Sequence, residues 1–246
     1  MKAGRRTIGA AAACGLSLAA CANNPYVIGR YRDTSCDAHP DALLCSGFEE
    51  PDLSDWNGTV VAGAASVAQT DTRSRDGLGS LRADSQAQES EAVVAREFPP
   101  VTGGDLFVRL YAFVPSGSPT KTMNILFLGD YAAPDPFKGI DFNLESDAPQ
   151  IYVPESQPPR YTSMSALIPR DRWFCFRVHV ALSATAGTVE LWIDDAPALA
   201  QSGLHTLPAA GIHLLRAGVD WSSLQNDPFT LYLDDLVLAT TPVACD

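Results

Sequence analysis

The run from Trp173 to Pro197 constrains this chain more than any other stretch. It reads Trp-Phe-Cys-Phe-Arg-Val-His-Val-Ala-Leu-Ser-Ala-Thr-Ala-Gly-Thr-Val-Glu-Leu-Trp-Ile-Asp-Asp-Ala-Pro. Successive side chains of a strand point to opposite faces, so a two-residue period marks a half-buried strand. Phe174, Phe176, Val178, Val180 and Leu182 share one side, and Trp173, Cys175, Arg177, His179 and Ala181 share the other. After small residues at 183–187, Val189, Leu191 and Ile193 resume the pattern, with Glu190, Trp192 and Asp194 opposite. Two such runs joined by a short turn predict a long antiparallel hairpin, and Asp194-Asp195 predicts a tight turn at its far end. A hairpin of this kind has one apolar face that must be covered by a second layer.

The rest of the chain repeats the theme. Strand candidates are 43–49, 59–69, 75–82, 92–98, 106–114, 122–128, 139–145, 150–153, 161–167, 213–219 and 230–238. In 106–114, Phe107, Arg109, Tyr111 and Phe113 face one way. No helical periodicity persists after the first 20 residues, and no fixed-period repeat marks a propeller or solenoid. The expectation is an all-β, two-sheet antiparallel sandwich over 43–246. A length of 246 residues suits one such domain, and 46% apolar residues can fill its core.

The N-terminus is a different kind of segment. Three cations (Lys2, Arg5, Arg6) precede a short run of small and apolar residues that ends in Leu18-Ala19-Ala20-Cys21. This resembles a bacterial lipoprotein signal peptide with its lipobox. The resemblance implies removal of 1–20, lipid on Cys21, a flexible tether over 21–42 and attachment to the cell envelope. By the same analogy, Ala22 after the cysteine implies the outer membrane. The apolar run is too short for a permanent transmembrane helix.

The formal charge is −12. Without the leader, 14 cations face 29 carboxylates, near −15. Such a surface repels nucleic acid. An exported chain meets an oxidising compartment, where cysteines pair. Cys36, Cys45, Cys175 and Cys245 remain once Cys14 and Cys21 are set aside. They allow three pairings, of which Cys36–Cys45 and Cys175–Cys245 are favoured. Neither a Cys-x-x-Cys nor a paired histidine supports a zinc site.

A set of short motifs then lines up: Phe48-Glu49, Trp56, Gly79-Ser80-Leu81, the hairpin from Trp173 to Asp195, and Leu231 to Leu238. Together they resemble the concanavalin A-like lectin/glucanase jelly rolls, which include laminin-G-like domains, laminarinase-like hydrolases and several polysaccharide lyases. Galactose-binding-like jelly rolls are the alternative fold. The resemblance implies a first strand beside the last, bringing Glu49 near Asp234 or Asp235. It also implies a structural Ca²⁺ in many members, here on Glu49 and Asp235 with backbone oxygens near Gly79.

The hydrolases of this class carry Glu-x-Asp-x-x-Glu on one strand face. The nearest run here, Asp141-Phe142-Asn143-Leu144-Glu145, does not match it. The lyases use Arg, Gln, His and Tyr, and their spacings are absent as well. No catalytic residue is therefore assigned. Arg109, Tyr111, Asn143, Glu145, Tyr152, Arg177, His179 and Trp192 are the candidate ligand-binding side chains, because sugars are held by flat aromatics beside a few hydrogen-bonding groups. The functional expectation is a non-catalytic envelope lipoprotein that binds carbohydrate or a surface protein. A lyase or hydrolase, and a structural envelope protein, are the alternatives.

Overall fold

Fifteen strands and one helical turn make up the computed structural model, which describes residues 34–50, 52–86, 90–119, 121–132, 135–222 and 228–245. The leader, Cys21 and most of the expected tether lie outside the described residues. In chain order the elements are α1 (Thr34–Asp37), β1 (Leu44–Ser46), β2 (Gly58–Ala62), β3 (Ala65–Thr70), β4 (Ser80–Ser85), β5 (Glu91–Val101) and β6 (Gly104–Phe113). Then come β7 (Met123–Ala132), β8 (Asp135–Glu145), β9 (Ala148–Tyr152), β10 (Arg160–Thr162), β11 (Trp173–Leu182), β12 (Gly187–Ile193), β13 (Ala196–Leu204), β14 (Ile212–Ser222) and β15 (Phe229–Ala239).

They form two antiparallel sheets. The first runs β13-β12-β11-β6-β15-β4-β3, with β1 also paired to β15. The second runs β10-β9-β8-β7-β14-β5-β2. The inner faces meet in one core. Phe174, Phe176, Val178 and Val180 of β11 are in it, as the two-residue period predicts, with Val189 and Leu191 of β12. Val180 pairs with Val189 and Phe176 with Ile193. The Asp194-Asp195 turn has both residues at positive φ, 50° and 62°, the backbone of a two-residue hairpin turn. Asp194 completes it by accepting the N–H of Cys175 at 2.9 Å.

The last strand lies beside the first, with Leu44 opposite Leu238. Between them the chain packs Phe48 on Trp56, ring centroids 5.5 Å apart, inside the core. β15 also pairs with β4 and β6, and all but one of its residues are buried. Its outer side, at Val237 and Ala239, is covered by Val243.

Three segments differ from the sequence reading. The expected strand 161–167 is only β10, and residues 163–167 are not strand. Residues 59–69 are not one strand. The chain crosses from the second sheet to the first at Gly63, whose φ is +66°. β13 was not foreseen, because Ala-Pro-Ala-Leu-Ala-Gln-Ser-Gly-Leu is poor in strand formers. It is an edge strand, where Pro197 is tolerated.

Both favoured disulfides are present. Cys36–Cys45 ties α1 to β1, and Cys175–Cys245 ties the C-terminus to β11. A crosslink restricts the unfolded chain more as the loop it closes lengthens. Opening Cys175–Cys245, which spans 70 residues, should cost about 4 kcal/mol, and opening Cys36–Cys45, which spans 9, about 2.5 kcal/mol. Urea unfolding of the C175A/C245A and C36A/C45A variants checks the order, and a larger loss from the short loop would contradict it.

Candidate functional site

The outer face of the second sheet carries two ranks of side chains, each crossing five strands. In one, Thr162, Gln150, Asn143, Asn124 and Trp221 are register neighbours across β10, β9, β8, β7 and β14. In the next, Arg160, Tyr152, Asp141, Phe127 and Arg216 are neighbours across the same strands. Alternation produces them. Ile140, Phe142 and Leu144 of β8 go to the core, so Asp141 and Asn143 go outward. The ranks enclose a cavity of about 220 Å³, lined by Thr122, Asn124, Asp141, Asn143, Tyr152, Arg160, Asp220 and Trp221.

The polar groups of this face are bonded to one another. Asn124 donates to Asp141 at 2.6 Å, Asn143 donates to Gln150 at 3.0 Å, and Gln150 donates to Thr162 at 2.9 Å. Asn124, Asp141, Asn143, Gln150, Arg216 and Asp220 are all buried. Burying so many polar groups gains nothing for folding even when they are paired. Arg216 lies between Glu91, at 3.1 Å, and Asp220, at 2.8 Å.

Asp220 reaches the cavity by alternation, since Leu215, Ala217 and Val219 of β14 go to the core, and an irregularity turns the next residue, Trp221, to the same face. The ladder to β7 breaks between Ala217 and Trp221, and Gly218 takes a φ of +130°. A Cβ on Gly218 would stand 2.2 Å from the Ala92 carbonyl oxygen, so a larger residue there would move β5. Bulges of this kind re-aim a side chain.

The two acids hold their protons unusually far up the pH scale. Burial, and then the Asp220 charge, push Asp141 up to about 7 against the opposing hydrogen bond from Asn124. Burial pushes Asp220 up to about 6, with Arg216 opposing and Glu91 adding to the rise. Near neutral pH this pair can hold a proton on one carboxyl and a charge on the other, the requirement for general acid–base work.

Of the side chains expected from sequence, Asn143 and Tyr152 line the cavity, and Glu145 is hydrogen-bonded to its Thr122. Arg109, Tyr111, Arg177, His179 and Trp192 lie on the first sheet, away from these ranks. Arg109 is fully buried and reaches the Ala244 carbonyl at 3.5 Å. Tyr111 lies under the Arg75 guanidinium at 3.7 Å. Arg177 covers Trp192 at 4.6 Å and pairs with Asp195 at 3.3 Å. His179 stacks on Phe107 and sits between Glu190 at 2.8 Å and Asp105 at 2.7 Å. Burial draws its pKa down, and the hydrogen bonds its ring donates to these two carboxylates, with their charge, outweigh that and raise it. Arg177, His179 and Trp192 line a second cavity, of about 200 Å³, with Phe107 and Val243. Thr122, Asn124, Asp141, Arg160, Asp220 and Trp221 were not among the expected site residues. Asn124 and Trp221 sit beside irregular register, where a strict two-residue count fails, and Asp220 lies one residue past the expected strand 213–219.

The donors expected for calcium are engaged elsewhere. Asp235 is ion-paired with Arg75 at 2.8 Å, and Glu49 accepts the Leu78 N–H at 3.0 Å. Asp234 accepts the N–H groups of Arg75 and Asp235, and burial pushes its pKa up to about 8. Among the described residues no three His, Cys, Asp or Glu side chains converge on one point. The arrangement fits a guanidinium at Asp235 in the place of an ion.

No protein-family model matches the chain, and no curated protein matches it. Solved structures do. The endo-β-1,4-glucuronan lyase of the fungus Trichoderma reesei superposes with a TM-score of 0.64 at 12% identity, over 78% of this chain and 94% of that one. The cellulose-induced protein Cip1 gives 0.62 at 16%, over 82% and 100%. An alginate lyase, Aly36B, in complex with alginate trisaccharide gives 0.52 at 12%, over 82% and 99%. The fold is a concanavalin A-like jelly roll. At these identities the likeness is one of fold, so the chemistry of the jelly roll's cleft rests on its own side chains.

A carboxylate whose pKa is raised by folding contributes stability while protonated, and that contribution falls as pH climbs from its unfolded value through its folded one. Asp141→Asn should therefore leave stability unchanged near pH 4 and raise it at pH 8, by at most about 4 kcal/mol. Urea melts of both proteins at the two pH values measure the difference, and equal stability at pH 8 would show that Asp141 is not held high.

Proposed function

We propose that this chain binds a polysaccharide in the cleft of its second sheet. The observation that carries the reading is the pair of ranks. Amide and carboxylate groups alternate there with Tyr152, Trp221 and Phe127, and the whole surface is withheld from the core. Sugar binding needs flat apolar rings beside a few oriented hydrogen-bonding groups, and ligand sites are built in that proportion. The likeness to a glucuronan lyase and to an alginate lyase with a bound trisaccharide supports it as a likeness of scaffold. The same proposal places the domain on the cell envelope through lipid on Cys21, a reading that rests on the leader's residues.

A second reading, cleavage, is favoured by the acid pair. Asp141 and Asp220 are pushed up to about 7 and about 6. In hydrolysis one such carboxyl protonates the glycosidic oxygen while the other, ionised, attacks carbon or activates water.

Affinity electrophoresis against a panel of polysaccharides tests binding. Trp221→Ala should weaken the best ligand about tenfold, and retardation that the variant leaves untouched would move the site elsewhere. On the same sugars, new reducing ends that vanish with Asp141→Asn would establish cleavage.

Calcium at Glu49 and Asp235 is a separate proposal, drawn from the resemblance, and it requires Arg75 to leave Asp235. A ligand that binds only the folded state raises the melting temperature. Melting with added Ca²⁺ and with chelator decides: a rise with Ca²⁺ supports the ion, and identical midpoints remove it.

A further inference from the structure

We propose that the cleft takes an uncharged glycan, one presenting hydroxyl groups and no carboxylates. This rests on the polysaccharide reading and names the substrate class of the same site. What an amide side chain offers a ligand depends on what its neighbours have already used. On this cleft floor each of three amides has already committed one of its two N–H donors. One N–H of Asn124 goes to Asp141, one of Asn143 to Gln150, and one of Gln150 to Thr162. Acceptors remain. The Asn124 Oδ1 is buried without a hydrogen-bond partner. Asp220 Oδ1 lies 2.8 Å from the Arg216 guanidinium, close enough for an ion pair but without hydrogen-bond geometry. Asn124 and Asp220 are each only 5% exposed. A buried acceptor lacking a donor is costly, and a sugar hydroxyl supplies the donor. An ionised carboxylate supplies only further acceptors.

Charge points the same way. Asp141, Asp220, Glu91 and Glu145 lie in or against the cleft, facing Arg216 and Arg160. Arg216 is shared between Glu91 and Asp220. Arg160 stands at the edge strand, its guanidinium 5.2 Å from the Tyr152 ring centre. A uronate would enter an excess of like charge, inside the field of a chain carrying −12. An ammonium sugar would answer the acceptors too, and Arg160 at the cavity wall opposes its charge.

Calorimetry on the full chain at pH 8 tests the assignment. The probes are hexamers of β-1,4-glucose, β-1,3-glucose and β-1,4-mannose, hexamers of glucuronate and of alginate, and a trimethylated chitosan hexamer that stays cationic at this pH. At least one uncharged hexamer should bind, with both uronates about a hundredfold weaker or more. Asp220→Asn should narrow that gap about tenfold by removing charge while keeping an acceptor. A uronate or the cationic hexamer binding as tightly as the best uncharged one, with loss on Trp221→Ala, would overturn this inference and leave the polysaccharide reading intact. Silence from every probe would instead remove the polysaccharide reading, and this inference with it.

Discussion

The two-residue period of the pleat is the constraint on which both the core and the cleft depend. In β8 it sends Ile140, Phe142 and Leu144 inward and leaves Asp141 and Asn143 outside. In β9 it sends Ile151 inward and leaves Gln150 and Tyr152. A slip of one residue would exchange the faces. Each large apolar side chain lost from the core would cost about 1.5–3 kcal/mol, and the carboxylate would take its place there. The register that fills the core is therefore also the register that aims the acids. The β8–β9 turn helps to hold it. Ser146 and Asp147 take φ of 51° and 69°, a two-residue hairpin turn that sets Glu145 opposite Ala148. Arg170 then pairs with Asp147.

β14 shows what happens where that rule is relaxed. Its pairing with β5 runs unbroken from Leu214 to Val219, while its pairing with β7 lapses between Ala217 and Trp221. Alternation places Asp220 beside Asn124 and Asp141 around the cavity, with Arg216 within reach of its charge, and the lapse adds Trp221 to the same face. Buried acids of this kind subtract from stability above their raised pKa values. The first sheet offsets that with a strand, β15, buried on both faces and joined to three neighbours, and with a 70-residue crosslink beside it.

Much of this was legible in the residues. The hairpin from Trp173, the antiparallel sandwich, the closing strand against the first and both disulfides follow from alternation, turn chemistry, cysteine number and the motif resemblance. The cleft was legible only in part. Asn143, Tyr152 and Glu145 were reached because they sit on regular strands with polar residues at every second position. Asp220 was not, although alternation with Ala217 and Val219 turns it outward, because the expected strand ended at Val219. Arg109 and His179 looked like ligand groups because alternation set them opposite the core. A sandwich has two outer faces, and the sequence carries no mark of which one is roofed.

The roof is what separates the two faces. On the first sheet the chain covers itself. Val243 lies on Val237 and Ala239, Arg73 lies 3.8 Å from the Phe113 ring centre, and Arg75 lies over Tyr111. The polar side chains left on that face are paired, His179 with Asp105 and Glu190, and Arg177 with Asp195. Aromatic rings there are already occupied by cations or by one another. On the second sheet Trp221 is 40% exposed beside a cavity, and the buried oxygen of Asn124 still lacks a donor. The first face also holds a cavity, of about 200 Å³ at Arg177, His179 and Trp192, but its Trp192 ring lies under Arg177, whereas the second face carries an open ring and an unmatched acceptor. The same jelly roll can thus carry a ligand site on either sheet, and the decision lies with which one its loops and termini leave uncovered.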